Sequence, residues 1–169
     1  LGEGLICLTA CQAGRVSRYL EEERYQEAED FVNLLKETFD YVALEIQSHP
    51  TADQLRCNTL IFNFAQYMKM PYVITTDAHM LNADQMDTHS IFVEIGEGRE
   101  AGETYLGCHL QNEKDIFKYL GNWNLDRVIQ QGIDESVKIA NMVEDNIDYE
   151  LNKGTIMPKA HIPDGYDTE

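Results

Sequence analysis

Positive charge is what this 169-residue chain has least of: 13 lysines and arginines stand against 30 aspartates and glutamates, a formal net charge of −17. That balance argues against a chain that grips a phosphate backbone on its own. It suits a carboxylate-rich surface, whose effect is either solubility or the attraction of divalent cations. Long apolar runs are also missing. None approaches the roughly 20 residues of a membrane helix, and the first residues do not have the form of a signal peptide. The four cysteines, Cys7, Cys11, Cys57 and Cys108, lack the dense regular spacing of a disulfide framework, so the expected setting is reducing and cytoplasmic. Neither G-x-x-x-x-G-K-[ST] nor G-x-G-x-x-G occurs, and there is no Gly-x-Ser-x-Gly elbow. These absences remove the glycine-rich phosphate loops and the serine-hydrolase elbow, and leave metal-assisted hydrolysis as the chemistry open to the chain. There is no internal repeat and no low-complexity tract. The opening Leu1-Gly2-Glu3-Gly4 has no methionine, and the expectation is a piece of something longer.

What is present is enough for one domain with a core: 43% of residues are apolar and 25% charged. Gly4 to Ala10 is an apolar run that predicts a buried strand, with an exit loop through Cys11 to Gly14. From Glu22 to Phe39, Tyr25, Ala28, Val32, Leu35 and Phe39 recur at three- and four-residue steps, an amphipathic helix. Asp40 to Ile46 reads as a second strand, leading into Gln47-Ser48-His49-Pro50. Thr51 with Gln54 resembles a capping box, and Ile61, Phe64, Ala65 and Met68 mark one side of the helix that follows, stopped by Met70-Pro71. A third strand begins at Pro71 and ends in Thr76-Asp77-Ala78-His79.

Asn82 is an N-cap candidate with Gln85 at its N3 position, and residues 83–95 fit a helix better than a strand. Tyr105 to Leu110 is a short strand candidate. Asn112 caps a short helix ending near Leu120, and Leu125 to Val143 carries a long helical stripe. The tail from Asn152, with Pro158 and Pro163, reads as an extended linker. Alternation of strand and helix predicts an α/β protein with a parallel sheet or barrel, whose active site gathers at the carboxyl ends of the strands.

Cys11, His49, Asp77 and His79 fall at those ends. On an extended backbone Asp77 and His79 point to the same side, where a carboxylate oxygen and an imidazole nitrogen can converge on one cation. The alternative is an Asx turn plus a satisfied polar histidine. Cys11 is either a small buried hydrophobe or a soft ligand at a strand end. Glu45 either lines a metal site or pairs with a lysine, and His49 either orients a substrate phosphate or caps a turn. His89 is assigned to surface or packing, His109 to a structural role because it neighbours Cys108 on a strand, and Cys7 to the core. His161 lies in the tail.

Taken together, GLICLTACQAG (Gly4–Gly14), YVALEIQSHP (Tyr41–Pro50), MPYVITTDAHMLNADQMDTH (Met70–His89) and YLGCHLQNEKDIF (Tyr105–Phe117) resemble successive blocks of one family. It is the polymerase-and-histidinol-phosphatase (PHP) domain at the start of the bacterial DNA polymerase III alpha subunit. The closing Ile139–Gly165 resembles that domain's exit towards the palm. The resemblance covers essentially the whole chain. It implies a portion of a distorted seven-stranded, TIM-like α/β barrel, with residues 1–150 as the carboxyl-terminal part of the domain and 151–169 as linker.

It also implies a site for divalent metals (zinc, manganese or magnesium). Cys11, Asp77 and His79 match metal positions, and Glu45 and His49 match a block beside the site and are the catalytic candidates. The family's amino-terminal His-x-His block would precede Leu1, so the ligand set here is partial and the fragment itself is not expected to polymerise DNA. The implied partners are the remaining domains of the alpha subunit, DNA reached through the parent, a proofreading exonuclease subunit and a sliding clamp, with no membrane. The implied reaction is removal of a 3′ nucleotide or hydrolysis of pyrophosphate. Two other classes stay open: a metal-free scaffold that docks the palm or a proofreading subunit, and a free-standing phosphatase of the histidinol-phosphatase type.

Overall fold

A computed structural model describes residues 2–98 and 105–143. Three parallel strands, β1 (Ile6–Leu8), β2 (Tyr41–Gln47) and β3 (Tyr72–Thr75), form a sheet in the order β1-β2-β3. Cys7 pairs with Val42, Ile46 with Ile74, and Gln47 with Thr75. Parallel neighbours need long crossovers. Helices α1 (Arg15–Glu21) and α2 (Tyr25–Thr38) make the first, and α3 (Ala52–Met68) makes the second. The α/β expectation therefore holds, and among the described residues the sheet has three strands.

Leu44, Ile46, Tyr72 and Ile74 share one face by strand alternation and register. They join one hydrophobic cluster with Val16 and Leu20 of α1, Ala28 and Val32 of α2, and Cys57, Ile61, Phe64 and Ala65 of α3. The start of α3 is fixed by Thr51, whose hydroxyl accepts from the Gln54 N–H at 3.3 Å. Its end is fixed by Lys69 at φ 52°, with the Met70 N–H donating back to the Ala65 carbonyl at 2.9 Å. Pro71 then carries the chain into β3, so α3 ends where its sequence signals place it.

The helix expected over 22–39 is α2, one helix that starts at Tyr25 after a turn through Glu22 to Arg24. The short α1 before that turn is not among the expected elements. The sequence signal for α1 is weak because Val16 and Leu20 are its large buried apolar residues and Ser17 is the third buried position. The segment after β3 opens with a capping box between Asn82 and Gln85 and a 3₁₀ turn (Ala83–Gln85), then runs into α4 (Met86–Glu97). Helix is the outcome there.

Tyr105 to Leu110 is not a strand. It contributes a single isolated parallel bridge between Met80 and His109. Gly107, at φ 84°, breaks the extended path, and a Cβ there would lie 2.8 Å from the Pro50 ring. Asn112 and Asp115 form the capping box of α5 (Glu113–Leu120). In α6 (Asp126–Met142), Gly132 lets the helix seat on β3: a Cβ there would lie 2.6 Å from Ile74 Cγ1. The Tyr72 hydroxyl donates to the Val128 carbonyl at 2.9 Å across the same contact. Cys7 is half-buried rather than fully in the core. No helix among the described residues is long and apolar enough to cross a membrane. The linker assigned to 151–169, with His161, lies outside the described residues.

Candidate functional site at the strand exits

Beyond β1 the chain turns sharply. Ala10 sits at φ 65°, the Gly14 N–H donates to the Cys11 carbonyl at 2.8 Å, and the Ser17 hydroxyl donates to the same carbonyl at 3.1 Å. A Cβ on Gly14 would lie 2.6 Å from the Thr9 carbonyl oxygen and 2.8 Å from that of Cys11, so only glycine closes this turn without moving backbone. Cys11 is thereby held at the mouth of the strand.

Glu45 is engaged by the exits of both neighbouring strands. Its two carboxylate oxygens accept from the Ala10 N–H at 3.0 Å and from the Thr75 hydroxyl at 2.6 Å. The Glu45 N–H in turn donates to the Thr9 hydroxyl at 2.9 Å. The residue clamps the exits of β1 and β3 to β2, and it is not among the side chains that line the cavity.

Asp77 is not on a strand. β3 ends at Thr75 and Asp77 sits at φ 44°, a left-handed conformation that aspartate tolerates better than most residues. Strand alternation therefore does not orient Asp77 and His79, and the expectation of two side chains carried to one side by an extended backbone is corrected. What relates them is a local hydrogen bond: the His79 ring donates from Nδ1 to the Asp77 carbonyl at 2.7 Å, which leaves Nε2 as the free nitrogen. The His79 N–H donates to the Cys108 carbonyl at 2.8 Å and fixes the loop against the chain after Tyr105.

His49 is 5% exposed. Its Nε2 lies 3.0 Å from the Thr76 carbonyl, which can only accept, so Nε2 carries the proton. Burial lowers the His49 pKa, against the opposing pull of the Thr76 carbonyl and of Asp77. The neutral ring has no second N–H to offer a substrate phosphate. Cys108 Sγ lies 3.4 Å from the same Nε2, and burial raises the Cys108 thiol to about 12. A thiol raised while its imidazole neighbour is lowered is the reverse of the thiolate–imidazolium pair of cysteine nucleophiles.

These exits enclose one cavity of about 310 Å³. Cys11, His49, Asp77 and His79 line it together, as do Gln47, Gln54, Tyr105 and Cys108. The two glutamines are held by a buried amide network: Asn58 Nδ2 donates to the Gln47 carbonyl at 2.8 Å, and Gln54 Nε2 donates to Asn58 Oδ1 at 2.9 Å. At the rim the ring of Tyr105 packs edge-on against His79 (4.9 Å between centroids) and His89 (4.5 Å). His89 is thus a packing residue, and its Nδ1 is buried with no hydrogen-bond partner among the described residues.

Sequence reasoning missed Cys108 as a wall of the site. Its neighbour His109 faces Tyr119 of α5, with 5.8 Å between ring centroids. The adjacent pair Cys108-His109 was the available signal, since neighbours on extended chain point to opposite sides.

Thiol, carboxylate and imidazole are donor types that suit zinc or manganese. They stand around the cavity wall rather than converged, and among the described residues no three His, Cys, Asp or Glu side chains are grouped closely enough to hold an ion. The donors fit part of a metal site in kind, and do not complete one.

No family model matches the chain. It is 27% identical over 176 residues to "Probable DNA polymerase YorL" of Bacillus subtilis, a match covering 94% of this chain and 13% of that protein. It is 27% identical over 169 residues to the DNA polymerase III subunit alpha of Borreliella burgdorferi, covering 98% of this chain and 14% of the relative. With the DNA polymerase III subunit alpha of Aquifex aeolicus the identity is 28% over 116 residues, 68% of this chain and 10% of the relative. The chain thus spans about an eighth of the length of the first two of these relatives, and over nearly all of its own length it is similar to one stretch of DNA polymerase III alpha subunits.

Proposed function

We propose that this chain is part of a replicative DNA polymerase III alpha subunit, from its PHP domain, and that the strand-exit cavity is the chain's share of a metal-dependent phosphoesterase centre. One observation carries the reading. Cys11, His49 and the Asp77/His79 pair come from three separate strand exits and line a single cavity, in a chain similar along its length to polymerase subunits. Active sites of parallel α/β folds collect at this end of the sheet.

In this reading Cys11 Sγ, the Asp77 carboxylate and His79 Nε2 are the chain's ligands, and the rest of the set comes from elsewhere in the parent polypeptide, as does closure of the barrel. A divalent ion (zinc, manganese or magnesium), when bound, polarises a phosphoester and lowers the pKa of water at the site. His49 and Glu45 position rather than react. His49 holds the Thr76 carbonyl ahead of Asp77, and Glu45 ties the strand exits together. The substrate is a 3′-terminal phosphodiester or pyrophosphate. DNA, the other alpha-subunit domains, a proofreading subunit and a sliding clamp are reached through the parent.

The test is metal content and 3′-exonuclease activity of the full-length parent, wild type beside Asp77→Asn with His79→Ala. Bound zinc or manganese, with both metal and activity lost in the variant, supports the proposal. The unconverged donors favour a second reading, a scaffold that docks the palm or a proofreading subunit. Absence of metal and of activity in both proteins, with assembly of the parent unchanged, would establish it.

A further inference from the structure

We infer that a second cavity, built from Arg15, Arg18 and Arg24 beside the candidate site, is an anion subsite that takes a phosphate group next to the one at the strand exits. The inference rests on the phosphoesterase reading for its purpose, and on its own geometry for its existence. The cavity holds about 450 Å³ and is lined by these three arginines with Ala13, Tyr19 and Glu22. The chain has six arginines among 30 acidic residues, and half of the six meet in this one place.

The cavity is contiguous with the candidate site. Ala13 lines both. The turn from Cys11 to Gly14 leads directly into α1, so Cys11 on one side and Arg15 and Arg18 on the other belong to one rigid corner, locked by the Gly14 and Ser17 hydrogen bonds to the Cys11 carbonyl. The charge is available on one side of the pocket. Arg24 is paired with Glu22 at 2.9 Å and Glu27 at 3.0 Å. Arg15 and Arg18 are in no ion pair among the described residues, whereas Arg56, outside the pocket, reaches Glu21 and Asp53.

Two of the guanidinium groups are also held in place. Arg15 lies 5.0 Å over the Phe31 ring and Arg24 lies 4.5 Å over the Tyr19 ring. Stacked guanidinium groups lose less conformational freedom on binding, and their planar fork matches a phosphate bidentately. On a chain of net charge −17, such a pocket is a place where an anion is not repelled. A substrate with two phosphates in succession meets both cavities: one at the strand exits, the next at Arg15 and Arg18. Consecutive phosphodiesters of a single strand and the two halves of pyrophosphate share that chemistry.

The test is arginine footprinting of the full-length parent carrying Asp77→Asn. The protein is treated with phenylglyoxal, with and without inorganic pyrophosphate or a single-stranded oligothymidylate, and each site is read by mass spectrometry. The expected result is that modification of Arg15 and Arg18 slows several-fold while Arg56 does not change. Protection by the oligonucleotide alone assigns the subsite to a strand, and protection by pyrophosphate alone assigns it to the free anion. No protection by either ligand, or equal protection of Arg56, overturns the inference. Arg15→Gln with Arg18→Gln supplies the second measurement: a Kd for the protecting ligand raised about tenfold, as expected for loss of charge-assisted contacts, with an unchanged Kd overturning it. Protection of Arg15 and Arg18, with no metal and no hydrolytic activity in the wild-type parent, leaves the anion subsite standing and removes only the phosphoesterase reading.

Discussion

The two cavities that meet at Ala13 are built from opposite chemistry. One collects a thiol, a carboxylate and two imidazoles from three strand exits; the other collects three guanidinium groups around one short helix. They also differ in what holds them. The strand-exit cavity is braced by contacts distant in sequence, such as Glu45 to Ala10 and Cys108 to His49. The arginine cavity is braced by neighbours, with Arg24 bonded to Glu22 and Glu27 and stacked on Tyr19. The contrast teaches that net charge describes the whole surface and not a site: on a strongly acidic chain, the local field is decided by which side chains the fold brings together.

The largest effect is expected from separating the two cavities chemically. Asp77→Asn with His79→Ala should weaken ion binding by about a hundredfold or more, since loss of even a supporting partner reaches that range, while leaving pyrophosphate protection of Arg15 and Arg18 in place. Ion binding measured by competition with a chelating dye, beside the footprint, checks both halves; a footprint that vanishes with the ligands would mean the two cavities are one site.

Gly14→Ala attacks the turn they share. Its Cβ meets two backbone carbonyl oxygens at 2.6 and 2.8 Å, which cannot swing away as a side chain would. A destabilisation of about 1–3 kcal/mol is expected, as for other overpacked positions, read from the denaturant midpoint, together with weaker ligand binding in both cavities. Gly132→Ala makes a useful partner, because its Cβ meets the Ile74 side chain instead. Stability should fall by a similar amount with neither cavity altered, and a selective loss at the strand exits would contradict this account of α6.

A smaller effect follows from His49. Its folded pKa lies below the usual 6.5 because burial disfavours the charged ring. The unfolded chain then binds the proton more readily, so the contribution is full above about pH 6.5 and is lost as the pH falls below it towards the folded value. Denaturation midpoints at pH 7.5 and 5.5 should therefore differ more in wild type than in His49→Gln; equal differences would show that the ring is not held neutral. Smallest is the cap at Thr51, where Thr51→Ala should cost about 1 kcal/mol by thermal melting; because Thr51 also lines the strand-exit cavity, the footprint at Arg15 and Arg18 is the readout that should not move.

Much of the architecture was legible in the chain because it depends on short-range rules. The apolar spacing of α2 and α6, the caps at Thr51, Asn82 and Asn112, and the stop at Met70-Pro71 all act within a few residues. Helix α1 was not legible, since seven residues carry too few apolar positions to reveal a period. Nor was the failure of Tyr105 to Leu110 to form a strand, which turns on Gly107 meeting Pro50 far back in the sequence. At the strand exits, that Cys11, His49, Asp77 and His79 line one cavity was legible because each follows a strand, whereas the placing of Glu45 outside its lining was not, because its carboxylate bonds to Ala10 and Thr75, both distant in sequence.

By itself, then, the sequence determined the parallel α/β order and the placement of a thiol, a carboxylate and two imidazoles at strand exits, because period, caps and breakers are local properties of the backbone. Only the tertiary structure decided that Asp77 turns left-handed, that Cys108 closes the wall against His49, and that Glu45 ties Ala10 to Thr75. Those outcomes depend on which distant segments share a corner, and that is settled by packing of the common core rather than by any one stretch of chain.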